Sequence, residues 1–367
     1  MLPLARDGYT SEEVKEILHA PSRTENFRYR LLDKNEVEKG WLTTVTGGRV
    51  SYVSLSQIKR SATFAMTEDD DVDYLNDRIQ VFVDISAFGK IISFPMGIFL
   101  LNSPKRIDNN HVVTREIEAY DKLQILAEDN FENRYYIPSG ENYVNAISSV
   151  IMSAGETAIS ITPSANVTQT AKEFEIGMSK LDIINKLLDE LNYTSLRCDV
   201  EGNFVADPYV EPAAKDVEYE YITNDESVIY GGAAEDIDLY NVKNVFVAYV
   251  DNPERAAMRS VFANENPASP TSTISRGRRL VDIRQLDDAA DQAALDSYIR
   301  RIAINASNIY SHVNFNTAIM PMHDYLDTLR LIYTPLGISD VYQETSWELP
   351  LAVGASMRHT VRKVVAL

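Results

Sequence analysis

The chain repeats itself, and that bears hardest on its fold: DYLNDRIQV at 73–81 is answered by DYLDTLRLI at 324–332. Asp73, Tyr74 and Leu75 match Asp324, Tyr325 and Leu326, an acidic residue follows at Asp77 or Asp327, and an alternating strand comes next. Each copy also follows a strand ending near a methionine, Met66 or Met320. A unit written twice is folded twice, so two related β domains are expected, each with a polar turn feeding a strand and a Tyr-Leu pair closing the end of a barrel. The competing reading is coincidence, because turns are rich in aspartate whatever their ancestry.

Strand patterning supports the repeat. Between Phe27 and Asp121 six segments, FRYRLL, RVSYVSL, SATFAMT, RIQVFVDI, IISFPMGIFLL and HVVTREIEAY, are rich in β-branched and aromatic residues and separated by turn chemistry. The last hairpin places Asn109 and Asn110 at its tip, where asparagine tolerates a left-handed backbone. Inside FPMGIFLLNSPKR, the consecutive apolar residues Ile98, Phe99, Leu100 and Leu101 break the alternation of a half-exposed strand. Both faces of that strand need cover, so these four are expected at a domain or subunit interface. The alternative is that a neighbouring domain of the same chain covers 97–101 alone.

Elsewhere the period is helical. Thr10 and Glu13 have capping-box spacing ahead of a short helix that ends before Pro21. Tyr143, Ala146, Ile147, Val150 and Ile151 share one helical face before Gly155. Ser179 can cap a second helix with the stripe Leu181, Ile184, Leu187, Leu188 and Leu191, and a hairpin turning at Glu201-Gly202 follows. The expected organisation is an N-terminal helical arm over 1–25, a first β domain over 26–136, an inserted α+β domain over 137–215 and a second β domain over 216–367. The second β domain carries a helix over 287–306 and a mobile loop over 264–279, which is rich in Pro, Ser and Asn. The fold class is α+β, mainly β.

Composition sets further limits. The 35 basic and 54 acidic side chains among 367 residues give a net charge of −19, which opposes sequence-specific nucleic-acid binding over the surface as a whole. Cys198 is alone, so no internal disulfide forms, and it is expected to be a buried thiol. The start of the chain lacks the apolar core of a secretory signal, and no apolar stretch approaches the roughly 20 residues that span a bilayer.

Readable catalytic motifs are missing: no HExxH, P-loop, GxGxxG or GxSxG occurs. EDDDVDYLND imitates a calcium loop, but Tyr74 stands where glycine is needed and Gln80 where a bidentate glutamate is needed. The five histidines, His19, His111, His312, His323 and His359, show no paired ligand spacing. No catalytic residue, cofactor or metal is expected. A pair of carboxylates suffices for glycosidase chemistry, so a cell-wall hydrolase stays open as an alternative.

The order of parts, with FPMGIFLLNSPKR, AYDKLQIL, the helix-hairpin of 179–209 and SWELPLAVGASMRHTVRKVV, resembles the baseplate or tail-tip hub proteins of tailed bacteriophages and of related prophage and contractile injection particles. That resemblance implies two tail-tube-like antiparallel β-barrel domains, with a homotrimer presenting six tube-like units. It implies a non-enzymatic structural hub in the virion tail, assembled in the host cytoplasm. Its partners would be tail-tube and distal tail proteins, tip or fibre proteins and the tape-measure protein, with DNA passing unread through an acidic conduit. The alternatives are a distal tail ring protein, the hydrolase or a carbohydrate-binding adhesin. Many hubs of phages of Gram-positive hosts continue into a lytic or receptor-binding region; here such a part is expected on another polypeptide.

Overall fold

In the computed structural model, which describes residues 1–237, 242–251, 256–286, 288–308 and 311–365, the capping box forms as its spacing predicts. Glu13 N donates to Thr10 Oγ1 at 3.3 Å and Thr10 N to Glu13 Oε2 at 3.0 Å, opening α1 (Ser11–Leu18). Val14, Ile17 and Leu18 are its buried stripe. Seven strands then follow: β1 (Thr24–Leu32), β2 (Glu38–Leu42), β3 (Val45–Val53), β4 (Arg60–Thr67), β5 (Arg78–Ala87), β6 (Lys90–Asn109) and β7 (Val112–Tyr120). The unexpected one is β2, a short edge strand whose only buried residue is Leu42. The tip of the β6–β7 hairpin sits one residue later than expected. Asn109 pairs with Val112, and Asn110 and His111 make the turn with φ of 53° and 70°.

Next comes a separate α+β unit: α2 (Leu123–Glu128), β8 (Tyr135–Ile137), α3 (Tyr143–Ser153), β9 (Ile159–Ile161), β10 (Lys172–Phe174), α4 (Lys180–Glu190), β11 (Arg197–Cys198) and β12 (Phe204–Ala206). Every residue of the two expected helical stripes is buried, Ser179 caps α4 and Cys198 is enclosed. The remaining strands are β13 (Tyr219–Ile222), β14 (Ile229–Ile237), β15 (Val245–Val250), β16 (Met258–Ala263), β17 (Val281–Leu286), β18 (Ser311–Thr317), β19 (Thr328–Tyr333), β20 (Ile338–Pro350) and β21 (Met357–Lys363). Between β14 and β18 lies a feature absent from the sequence reading. The strands β16-β15-β17 form a small sheet of their own, with α6 (Gln292–Asn308) packed on it through Leu295, Ile299 and Ala303. The expected mobile loop 264–279 belongs to this unit and holds the short helix α5 (Thr273–Arg276), with Asn264, Ser269, Thr271 and Ser272 buried and hydrogen-bonded.

The large sheet contains the repeat in another form. Its first half runs β3-β4-β7-β6-β5-β1 and its second β14-β18-β21-β20-β19-β13, the same order in both. Ile79 lies opposite Phe99 in one half, and Leu329 opposite Tyr342 in the other, both aromatic residues being fully buried. Bulges recur at matching places: after Asn102 in β6 and after Glu344 in β20, and beside Gly47-Gly48 in β3 and Gly231-Gly232 in β14. The halves differ at one edge, where β1 is antiparallel to β5 but β13 is parallel to β19. The methionines flanking the repeat are not counterparts, since Met66 lies inside β4 and Met320 beyond the end of β18.

The two halves are not separate bodies. Residues 346–350 of β20 pair with 53–49 of β3, making one thirteen-stranded sheet, and a single apolar core runs from Val14 to Val361.

Gly48 has φ +147°, and a Cβ there would stand 1.9 Å from the Thr63 carbonyl oxygen. Gly48→Ala is therefore expected to cost roughly 2–4 kcal/mol. Gly231→Ala, with nothing within 4 Å of the new carbon, is expected to cost below about 1 kcal/mol. Urea unfolding midpoints of the two variants measure the difference.

Candidate assembly surface and its buried anchors

The repeated turns share one hydrogen bond. Asp73 N donates to Asp77 Oδ2 at 2.9 Å, and Asp324 N donates to Asp327 Oδ2 at 3.0 Å, so each closing carboxylate ties down the amide that opens its turn. The tyrosines are half-buried: Tyr74 Oη accepts from Asp69 N and its ring lies under Arg115, while Tyr325 lies under Arg197, 4.9 Å from the ring centre. The leucines do not plug anything. Leu75 is 86% exposed and Leu326 is half-buried with φ 51°, because each sits at the apex of its turn and points away from the core.

Around these turns the halves are clasped by charge. Arg60 of β4 is fully buried and reaches into the second turn, donating to Asp324 Oδ1 at 2.7 Å and to Met96 O at 2.6 Å. Its guanidinium lies 4.8 Å from the Tyr52 ring centre, and Tyr52 stacks on Trp347 across the β3–β20 junction. Asp121 accepts from Arg60 N and Leu123 N, and burial pushes its carboxyl up to about 6 despite those bonds.

A second buried chain of groups lies inside the second half. His323 Nδ1 stands 2.7 Å from Glu344 Oε2 and 3.1 Å from Asp327 Oδ2; Glu344 Oε1 stands 2.6 Å from His359 Nδ1. Tyr221 Oη closes on His323 Nε2 at 2.6 Å, and Thr317 on His359 Nε2 at 2.8 Å. Two histidines and a glutamate this close have the composition of a metal site, and sequence spacing gave no hint of it because His323, Glu344 and His359 come from a turn and two strands. The separations are those of hydrogen bonds. Ligands bonded to one ion at about 2.0–2.2 Å stand roughly 3 Å or more apart, whereas here His323 Nδ1 bonds Asp327 Oδ2 and His359 Nδ1 bonds Glu344 Oε1 through protons, with Glu344 Oε2 beside His323 as an ion-pair neighbour. Burial pulls His323 toward neutrality, yet the Glu344 and Asp327 carboxylates outweigh it and raise the imidazole from 6.5 to about 9. Asp327 is raised by burial and then carried down to about 2 by the His323 bond and the Met1 ammonium 2.6 Å away.

The four apolar residues of β6 divide between the faces as their spacing requires. Phe99 packs edge-on against Phe64 in the common core, and Leu101 packs against the same core. Ile98 meets the Glu201-Gly202 hairpin, where a carbon added at Gly202 would lie 3.1 Å from its Cδ1. The α+β unit thus covers Ile98, while Leu100 stays half-buried opposite Tyr120.

Among the described residues, two sheet edges carry charge and no strand partner. Beyond Asn102, β6 pairs only with β7, leaving Lys105 and Arg106 exposed, and β14 pairs only with β18, leaving Glu235 and Asp236 exposed. Both edges correspond to strands that are joined inside the chain: β14 is the counterpart of β3, and distal β6 of distal β20. Transferring the β20–β3 register by matching inward-facing positions sets Lys105 opposite Asp236 and Arg106 opposite Glu235. Within the chain these four side chains already have neighbours of their own: Lys105 pairs with Glu116, Arg106 with Glu68, Asp236 lies 3.3 Å from His312 Nε2, and Glu235 accepts from Ser311 Oγ.

No model of a protein family matches the sequence, and no curated protein does. Solved structures do. A tail protein from Neisseria meningitidis MC58 superposes with a TM-score of 0.67 at 9% identity, covering 92% of this chain and 97% of that one. The 43 kDa tail protein of prophage MuSo2 from Shewanella oneidensis gives 0.63 at 10% identity, over 92% and 98% of the two chains. Prophage tail protein gp18 from Listeria monocytogenes gives 0.58 at 13%, over 91% and 94%.

His323 binds its proton more tightly in the folded chain than at its ordinary value, so its contribution is complete below pH 6.5 and is lost as pH rises through about 9. That window corresponds to roughly 3 kcal/mol. Urea unfolding at pH 6.5 and 9.5 is expected to show this loss, and His323→Gln is expected to be less stable at pH 6.5 and to lose less across the window, where the Met1 ammonium, raised to about 10, still titrates. At the level of three-dimensional architecture, the chain has the fold of phage and prophage tail proteins.

Proposed function

We propose that the chain is the structural hub of a phage tail tip or baseplate, three copies closing a ring that joins the six-fold tail tube to the three-fold tip. The observation that carries this reading is the internal junction. Within one chain, β20 of the second half joins β3 of the first, a head-to-tail contact between like units that leaves its own counterparts, distal β6 and β14, open at the two ends. A heterologous contact that repeats either closes into a ring or grows into a filament, and three chains of two units close at six. Pairing β6 with β14 of the next copy also removes two exposed edges that invite aggregation.

The sheet face turned away from the core supports a conduit. It presents Ser51, Ser61, Thr63, Asn314, Asn316 and Thr360; Arg49 pairs with Glu348 at 3.7 Å and Lys105 with Glu116 at 3.5 Å, while Glu118 and Arg358 stand exposed on the same face without an ion pair to any described residue. A polyanion such as DNA, or the tape-measure protein, then slides over hydroxyls, amides and scattered charges of both signs, with no base-reading helix to hold it. The remaining surfaces face tube, distal tail and tip or fibre proteins in the virion tail, and the hub has no catalytic role. No helix among the described residues is long and apolar enough to cross a membrane.

Native mass spectrometry or electron microscopy of the protein, alone or on a tail tip, is expected to give a trimer. A six-subunit ring would favour the distal tail reading, turbidity loss of purified peptidoglycan a hydrolase, and glycan binding an adhesin. Lys105→Cys with Asp236→Cys is expected to yield disulfide-linked trimers. Lys105→Glu should weaken assembly, and adding Asp236→Lys should restore it; a trimer indifferent to both would refute this junction.

A further inference from the structure

A cavity of about 390 Å³ opens where the sheet, the α+β unit and α6 meet. Its wall holds three arginines and one acid. Arg301 is occupied: it donates to Tyr193 O at 2.6 Å and to Asp189 Oδ1 at 2.7 Å. Arg284 is paired with Asp282 at 3.1 Å. Arg362 makes no hydrogen bond or ion pair with any described residue, and burial alone weakens its hold on the proton. In the same wall two hydroxyl oxygens sealed from solvent, Ser54 Oγ and Tyr209 Oη, lack partners.

These observations converge on one ligand chemistry. Asp189 neutralises Arg301 and Asp282 neutralises Arg284, so Arg362 leaves the cavity one surplus positive charge. The two hydroxyls are sealed off from the cavity, so the unmatched group that faces it is the guanidinium. Water leaves that charge uncompensated in a partly desolvated wall, whereas an oxyanion meets it, because charge-assisted bonds to guanidinium are the strongest available to a side chain. A dianion would face Asp189, so a single charge fits better. The volume exceeds that of a bare ion, and Ile302 and Leu326 give it an apolar wall, so the anion is one end of a larger molecule.

We propose that this cavity is a binding site for a singly charged oxyanion, a carboxylate or a phosphodiester carried on a larger molecule, held by the Arg362 guanidinium, with the Tyr209 side chain in the same wall. The site is independent of ring closure and stands whether or not the trimer forms.

The test is ¹⁹F NMR of the full chain labelled with 3-fluorotyrosine, the Tyr209 resonance being the one lost in Tyr209→Phe. Titration with dimethyl phosphate or with N-acetylglycine is expected to move that resonance, while sodium chloride at equal ionic strength does not; whichever anion binds more tightly names the source. Arg362→Gln is expected to weaken binding roughly tenfold or more. Arg362→Lys, which keeps the charge but loses the planar fork, serves as a second variant and should weaken it several-fold. No movement with either anion up to about 50 mM, or an unchanged response in Arg362→Gln or Arg362→Lys, overturns the proposal.

Discussion

One guanidinium without solvent contact holds the two halves of this molecule together. Arg60 belongs to the first half and its carboxylate partner Asp324 to the turn that opens the second copy of the repeat. A buried cation missing its counter-charge is costly by several kcal/mol, so the sheet tolerates Arg60 only while the second turn sits where Asp324 can meet it. Tyr52 and Trp347 stack over that pair across the joined strands, and Met96 supplies a second acceptor, while Arg60 Nε has none. The position of one half is thus written into the electrostatics of the other.

The same economy governs the second half internally. Glu344 sits between two imidazoles and Asp327 ties His323 back to its own turn, so four ionisable groups sealed from water pair by charge, although Glu344 Oε2 and Asp327 Oδ1 accept no hydrogen bond. This arrangement is what the metal-like composition amounts to: a proton-filled network that fixes β19, β20 and β21 relative to the repeated turn.

Much of this was legible from the residues, and the limits were physical. The echo of Asp73-Tyr74-Leu75 at Asp324-Tyr325-Leu326 marked a duplication that the strand order bears out, although at Leu75 the turn apex overrode the expectation of burial. The glycine pairs at 47–48 and 231–232 repeat too, and mark the matching bulges, but two glycines are too common a signal to weigh without a ladder around them. The helix α6 was expected, but the small sheet of β15, β16 and β17 beneath it was missed because it interrupts the second copy between β14 and β18, so strands adjacent in sequence are not neighbours in the large sheet. The His323–Glu344–His359 cluster and the Arg362 cavity were unreadable for a related reason: their members lie on different elements and meet only after folding.

Strand β20 bonds along one edge to β21, and along the other to β19 over 338–343 and then to β3 over 346–350. Tension applied between the halves therefore runs along a single continuous backbone and loads its ladders in shear, where the bonds resist collectively, with no flexible linker to stretch. A joint of this kind makes the chain behave as a stiff girder, suited to passing a mechanical impulse from one rim to the other with little slack.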